Sequence, residues 1–164
     1  VELASAPPGF YVLSTAGLAV DTGLALFRDG RQQVMADEDG GPQSNAFLGF
    51  FLGPGRWLAR VAGRPPLAEG RYTLSFQTLS PELILPRQAA REISFEDRPV
   101  FLQLRVLSAG TYRIRCPGAG VELYALPAMR SLPAEAALAL AAGDYLLALK
   151  GPEGQAASLT VTEE

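Results

Sequence analysis

Residues 52–63 read LGPGRWLARVAG and residues 140–151 read LAAGDYLLALKG. Set one above the other, Gly55 falls on Gly143, Trp57 on Tyr145 and Gly63 on Gly151. Each stretch opens with turn residues and continues as an apolar run headed by a large aromatic, the pattern of a turn feeding a strand. Two more matches lie on either side. Gly9-Phe10-Tyr11-Val12-Leu13 corresponds to Gly110-Thr111-Tyr112-Arg113-Ile114, and Leu74-Ser75-Phe76 to Leu159-Thr160-Val161. Three matches in one order, with turn glycines aligned, point to a chain that contains its own structural plan twice. The second copy is shorter because it lacks most of the acidic loop around Asp37 to Asn45.

Away from these anchors the pattern remains strand and turn. Tyr72, Leu74 and Phe76 alternate with Arg71, Thr73 and Ser75; Tyr112, Ile114 and Cys116 alternate with Thr111, Arg113 and Arg115. Val100, Leu102, Leu104 and Val106 alternate with Phe101, Gln103 and Arg105. Successive side chains of a strand point to opposite faces, so each run predicts one core face and one wetter face. Turn signals separate the runs, and Asp29-Gly30 predicts a two-residue hairpin turn. Residues Ala134 to Ala142 have a helical composition, but the repeat predicts a strand over Ala136 to Leu140. Pro81 and Pro86 bracket Leu83-Ile84-Leu85, which predicts a short packed linker over 80–87 between repeat one (1–79) and repeat two (88–164). The expected fold class is all-β, two tandem antiparallel β-sandwich repeats.

Composition narrows the chemistry. The chain has 164 residues, 48% of them apolar, enough for a core. It carries 14 basic and 17 acidic residues with no basic run, which argues against nucleic-acid binding. No apolar stretch reaches the roughly 20 residues of a membrane-spanning helix. Val1-Glu2-Leu3-Ala4 lacks the basic start and apolar run of a signal peptide. A single cysteine, Cys116, excludes an internal disulfide. The absence of histidine removes Ser-His-Asp and Cys-His catalysis and every His-bearing zinc or haem site.

Repeat one carries Tyr11, then Asp21-Thr22-Gly23-Leu24-Ala25-Leu26-Phe27, then Asp37-Glu38-Asp39-Gly40-Gly41, then Gly53-Pro54-Gly55-Arg56-Trp57, then Gly70-Arg71-Tyr72-Thr73-Leu74. This succession resembles the bacterial pre-peptidase C-terminal domain family, which includes the collagen-binding domains of bacterial collagenases. The resemblance covers Gly9 to Phe76 well and Ala109 to Val161 weakly, as two tandem copies of which the second is degenerate. It implies a jelly-roll-like sandwich attached to secreted, periplasmic or cell-surface proteins, usually without catalytic activity. The family opens with one or two strands ahead of the first tyrosine strand. Only Val1 to Pro8 precede it here, so repeat one is expected to be incomplete or to borrow a strand. Arg91 to Leu107 supplies such strands for repeat two.

Several residues are candidates for function. Asp21, Asp37 and Asp39, with Glu38, offer the oxygen donors that calcium takes from a flexible loop; the competing reading is a solvated turn whose carboxylates bond turn amides. The same carboxylates make a poor glycosidase pair, since a surface loop gives no pocket in which to tune an acid. Trp57 and Tyr145 read as core residues before sugar- or peptide-stacking ones. Cys116 reads as a buried, inert thiol. Trp57, Tyr72, Phe76, Tyr112, Ile114, Cys116, Tyr145 and Leu147 form the expected core. Phe10, Val12, Leu58, Phe101 and Leu146 fall on otherwise polar faces and read as interface residues, toward the other repeat first and an external partner second. The functional expectation is a non-catalytic accessory or binding module contacting a protein, a polysaccharide or an attached enzyme domain. The alternatives are a structural spacer or folding aid, and a hydrolase using carboxylates alone.

Overall fold

A computed structural model describes residues 1–3, 6–17, 20–30, 32–38, 41, 45–63, 70–133 and 137–164. Every regular element among them is a strand, and the chain divides into two compact units, Val1–Ser80 and Pro81–Glu164.

Unit one contains β1 (Gly9–Ala16), β2 (Thr22–Arg28), β3 (Gln32–Asp37), β4 (Phe47–Leu52), β5 (Trp57–Gly63) and β6 (Thr73–Thr78). They form two antiparallel sheets, β4-β1-β6 and β3-β2-β5. Alternation sets the faces: Tyr11, Leu13 and Thr15 of β1 are buried, as are Leu24 and Leu26 of β2 and Trp57 and Ala59 of β5. Residues Val1 to Leu3 run along the free edge of β5, with Leu3 N donating to Trp57 O and Ala59 N to Val1 O.

Unit two contains β7 (Glu82–Ile84), β8 (Arg91–Ser94), β9 (Val100–Val106), β10 (Gly110–Arg115), β11 (Gly120–Ala125), β12 (Arg130–Leu132), β13 (Leu138–Leu140), β14 (Gly143–Lys150) and β15 (Ala156–Glu163). Its sheets are β13-β10-β15-β8 and β12-β11-β14-β9-β7. The core is drawn from both, with Tyr112, Leu138, Leu159 and Val161 facing Leu102, Leu104, Leu123, Tyr145, Leu147 and Leu149. The pairing is antiparallel except where β7 runs parallel to β9.

The strand orders of the two units correspond. In unit one β1 lies between β4 and β6; in unit two β10 lies between β13 and β15. The order β3-β2-β5, extended by Val1 to Leu3, matches β12-β11-β14-β9. Strands β7 and β8 have no counterpart among the described residues of unit one.

Matched aromatic residues also make matched bonds. The Tyr11 hydroxyl donates to Pro7 O at 2.9 Å and that of Tyr112 to Ser108 O at 2.7 Å. Trp57 Nε1 donates to Gly53 O at 2.9 Å and the Tyr145 hydroxyl to Ala141 O at 2.8 Å. In all four the acceptor lies four residues upstream, so a buried ring carries a satisfied polar tip that pins the turn before its strand. The turn glycines agree as well: Gly55 has φ 129° and Gly143 φ 153°, backbone that side-chain-bearing residues rarely adopt.

Several expectations change. Residues 82–84, expected within a linker, form β7 of the second unit's sheet, because Leu83-Ile84 pairs with Gln103-Leu104 and buries Ile84. Tyr72 and Phe76 are exposed, at 45% and 39%. Tyr72 precedes the ladder, which begins at Thr73, and β6 is an edge strand whose Phe76 ring is covered on one side by Tyr11. Leu146 and Phe101 are buried, at 0% and 9%. Tyr145 to Leu149 are all buried, as in strands covered on both faces, so the alternation read into that run does not apply. Ile114 is half-buried. Arg28 pairs with Gln32, which leaves three positions in the hairpin rather than two; Asp29 and Gly30 have φ of 52° and 73°. Leu138–Leu140 is a strand, as the repeat predicts, while residues 134–136 lie outside the described set.

Candidate functional site

The root of the acidic loop is closed by side-chain acceptors. Asp37 ends β3, and its Oδ2 accepts from Phe47 N at 2.8 Å, at the start of β4. One residue earlier, Ala46 N donates to Thr15 Oγ1 at 3.0 Å, and Thr15 shares a second hydroxyl bond with Thr22. Asp37 therefore joins two strands by a charge-assisted bond. Leu24 pairs with Asp37, and Asp21 lies three residues before Leu24, on the order of 10 Å along an extended strand. Asp21 Oδ1 is shielded from solvent without a hydrogen-bond partner among the described residues. Asp39 lies outside them. Among the described residues no three acidic, cysteine or histidine side chains are grouped to hold a metal ion.

The expected interface residues separate. Phe10 and Val12 alternate with the inward Tyr11 and Leu13, so they lie on the outer face of β4-β1-β6. There Phe10 meets Phe51 edge-to-face, with centroids 5.1 Å apart. Leu58 alternates with inward Trp57 and Ala59, on the outer face of the opposite sheet. It helps to line a shallow groove of about 610 Å³ with Phe27, Gly30, Arg60, Val61, Tyr72 and Val1. Phe27 stands opposite Leu58 in the ladder, which explains the apolar floor. Only the mixed character of Leu58 beside Arg60 announces this groove in sequence; Phe27 and Tyr72 reach it through pairing and chain path. Phe101 and Leu146, being buried, offer no free surface.

Unit two has a second groove, of about 430 Å³, between the β7–β8 connection and β15, lined by Ile84, Leu85, Gln88, Arg91, Leu159 and Val161 among others. Nearby, Arg91 forms a two-pronged ion pair with Glu82 that holds the Glu82 carboxyl below its usual range. Gln88 Oε1 accepts from Leu85 N at 3.1 Å and fixes the turn between β7 and β8. Nothing in the sequence pattern marks this groove, because it depends on β7 joining the sheet.

Two titratable groups of unit two sit where burial disfavours their charged forms. Burial raises the Cys116 thiol above its usual value. Tyr124 is raised far above its usual value, first by burial and then by its bond to Glu122 Oε2 at 2.7 Å. Compared with known proteins, the chain matches no protein-family model and no curated protein.

Proposed function

We propose that the chain is a non-catalytic accessory or binding module, built from two tandem copies of one β-sandwich plan, that contacts a protein or polysaccharide partner. The observation that carries this reading is the groove at Leu58. An apolar floor of Phe27 and Leu58, an exposed tyrosine and a flanking arginine combine flat contact area with polar contacts. The resemblance to the pre-peptidase C-terminal domains adds a secreted, periplasmic or cell-surface setting and an attached enzyme as a candidate partner. Support for a non-catalytic role comes from the absence of histidine and from the burial of Cys116, which disfavours the nucleophilic thiolate. The test is a pulldown of the folded chain against collagen, peptidoglycan and a panel of glycans, repeated with Leu58→Asp and Tyr72→Ala. Binding lost in both variants supports the reading; binding to none of these ligands is the outcome expected of a spacer. Robust turnover in a broad hydrolase screen, abolished by Asp37→Asn, would overturn the non-catalytic assignment.

A further inference from the structure

The ladders lay out the outer face of β3-β2-β5 row by row. Leu58 stands opposite Phe27, and Phe27 opposite Gln33. In a neighbouring row Arg60 stands opposite Ala25, and Ala25 opposite Ala36. The first row gives the Leu58 groove its apolar floor. The second carries one long side chain, Arg60, with nothing larger than a methyl group beside it across two strands. Arg60 is exposed and has no ion pair or side-chain hydrogen bond among the described residues, whereas Arg28 and Arg56 on the same strands and turn are paired with Asp29 and Glu2. Among the described residues that line the groove none is acidic. Tyr72, 45% exposed, adds an aromatic wall with a hydroxyl. An apolar floor beside one uncompensated cation complements a ligand that joins a flat apolar face to a negative charge. The main chain beside Leu58 is already bonded on both sides, by β2 and by Val1 to Leu3, with Leu3 N donating to Trp57 O at 3.0 Å and Ala59 N to Val1 O at 2.8 Å. A peptide finds no open ladder there to join as a strand, so recognition runs through side chains.

We propose that the Leu58 groove takes an acidic polysaccharide, one whose sugar rings carry carboxylates. This rests on the reading of the groove as the binding site and names its ligand class. The apolar C–H face of a uronate ring lies on the Phe27–Leu58 floor and against the Tyr72 ring, which offers rigid contact area and a polar tip. The ring carboxylate meets the Arg60 guanidinium, whose planar fork matches both carboxylate oxygens. Ala25 and Ala36 leave space beside Arg60 for the sugar chain to run on across the sheet. A neutral glycan would use the same floor and leave Arg60 without a partner. An acidic peptide would satisfy Arg60 but bring main-chain groups that the filled edge of β5 cannot pair.

The experiment is an NMR titration of the isotope-labelled full chain with oligosaccharides of galacturonate, mannuronate and glucuronate, each beside its carboxyl-reduced neutral form. The expected result is saturable binding of at least one acidic oligosaccharide, with shifts centred on Phe27, Leu58, Arg60 and Tyr72. Its reduced form should bind at least about tenfold more weakly. Arg60→Gln should weaken the acidic form by about tenfold and leave the reduced form unchanged, because only the charged hydrogen bonds are lost. Tyr72→Ala should weaken both forms alike. Arg60 is exposed, so its substitution leaves the core intact. Acidic binding indifferent to Arg60→Gln, shifts confined to unit two, or equal binding of a polyglutamate peptide would each overturn the proposal. Collagen or a neutral glycan bound in place of the uronates, and lost in Leu58→Asp, would overturn the acidic ligand while leaving the groove a binding site. Binding of none of these probes would remove both.

Discussion

Four side chains, Tyr11, Trp57, Tyr112 and Tyr145, do the same job in two places. Each is buried, and each uses its single polar group to hold a carbonyl four residues upstream. Their loss should therefore be felt in two parts. Trp57→Ala should cost about 3–5 kcal/mol, the range for deleting a large buried aromatic. Tyr11→Phe and Tyr112→Phe should each cost about 0.5–1.5 kcal/mol, for the hydrogen bond alone. Urea denaturation of the purified variants measures both; a neutral Tyr112→Phe would remove the hydroxyl from the account of this turn. Asp37 acts through a bond to Phe47 N, so Asp37→Ala should lower the melting temperature by the same amount with and without millimolar calcium. A concentration-dependent rise in the wild-type melting temperature on adding calcium, absent in Asp37→Ala, would instead make the loop a metal site. Tyr112 and Cys116 were legible as core from their alternation with polar neighbours, and Trp57 and Tyr145 from their matched places after a turn. The bond from each aromatic tip was not, because turn geometry decides which carbonyl it meets.

At the level of elements, the readings that failed share a cause. Alternation predicts which face a residue takes, but burial depends on what lies beside and beyond the strand. Phe76 points inward on β6 and is still exposed, since no described strand covers that edge. Leu146 alternates with the inward Tyr145 and Leu147 of β14 and is still buried, so position in the alternation does not by itself decide burial. Phe76→Ala should accordingly destabilise less than Trp57→Ala. The ion pair between Arg105 and Asp144 ties β9 to β14 at an exposed site, with Arg105 Nε donating to Asp144 Oδ1 at 2.7 Å. Chiefly through that bond, Asp144 titrates below its usual carboxylate value, as Glu82 does beside Arg91. A carboxylate lowered in the folded state favours folding above its unfolded pKa and loses that contribution as the pH falls through the lower, folded value. Stability should thus decline on acidification below about pH 4, where unfolded carboxylates protonate. Asp144→Asn should flatten part of that slope, and only a small part, because solvent screens an exposed pair. A slope unchanged by Asp144→Asn in pH-dependent melting would show that the pair contributes nothing.

For the molecule as a whole, the all-β class was visible in the alternation and the turn glycines before any strand was paired. Gly55 and Gly143 keep turn conformations that need glycine, and replacing either by alanine should cost about 1–3 kcal/mol. The unequal closure of the two units was harder to read. Strand β7 lies between two prolines and pairs in parallel, and parallel pairing leaves no hairpin signal in the sequence. The Leu58 groove was legible only in part, through Leu58 itself. Strand β8 pairs Ala156–Leu159 of β15, and no described strand takes the matching place beside residues 71–74 of unit one, so the two units should differ in backbone protection there. Hydrogen–deuterium exchange on the intact chain measures that difference directly. Amides of Ala156 and Ala157 that bond β8 should exchange slowly, while those of Arg71 and Tyr72, the matching positions that no described strand pairs, should exchange orders of magnitude faster. Equal protection of residues 71–72 and 156–157 would contradict the unequal closure of the two units.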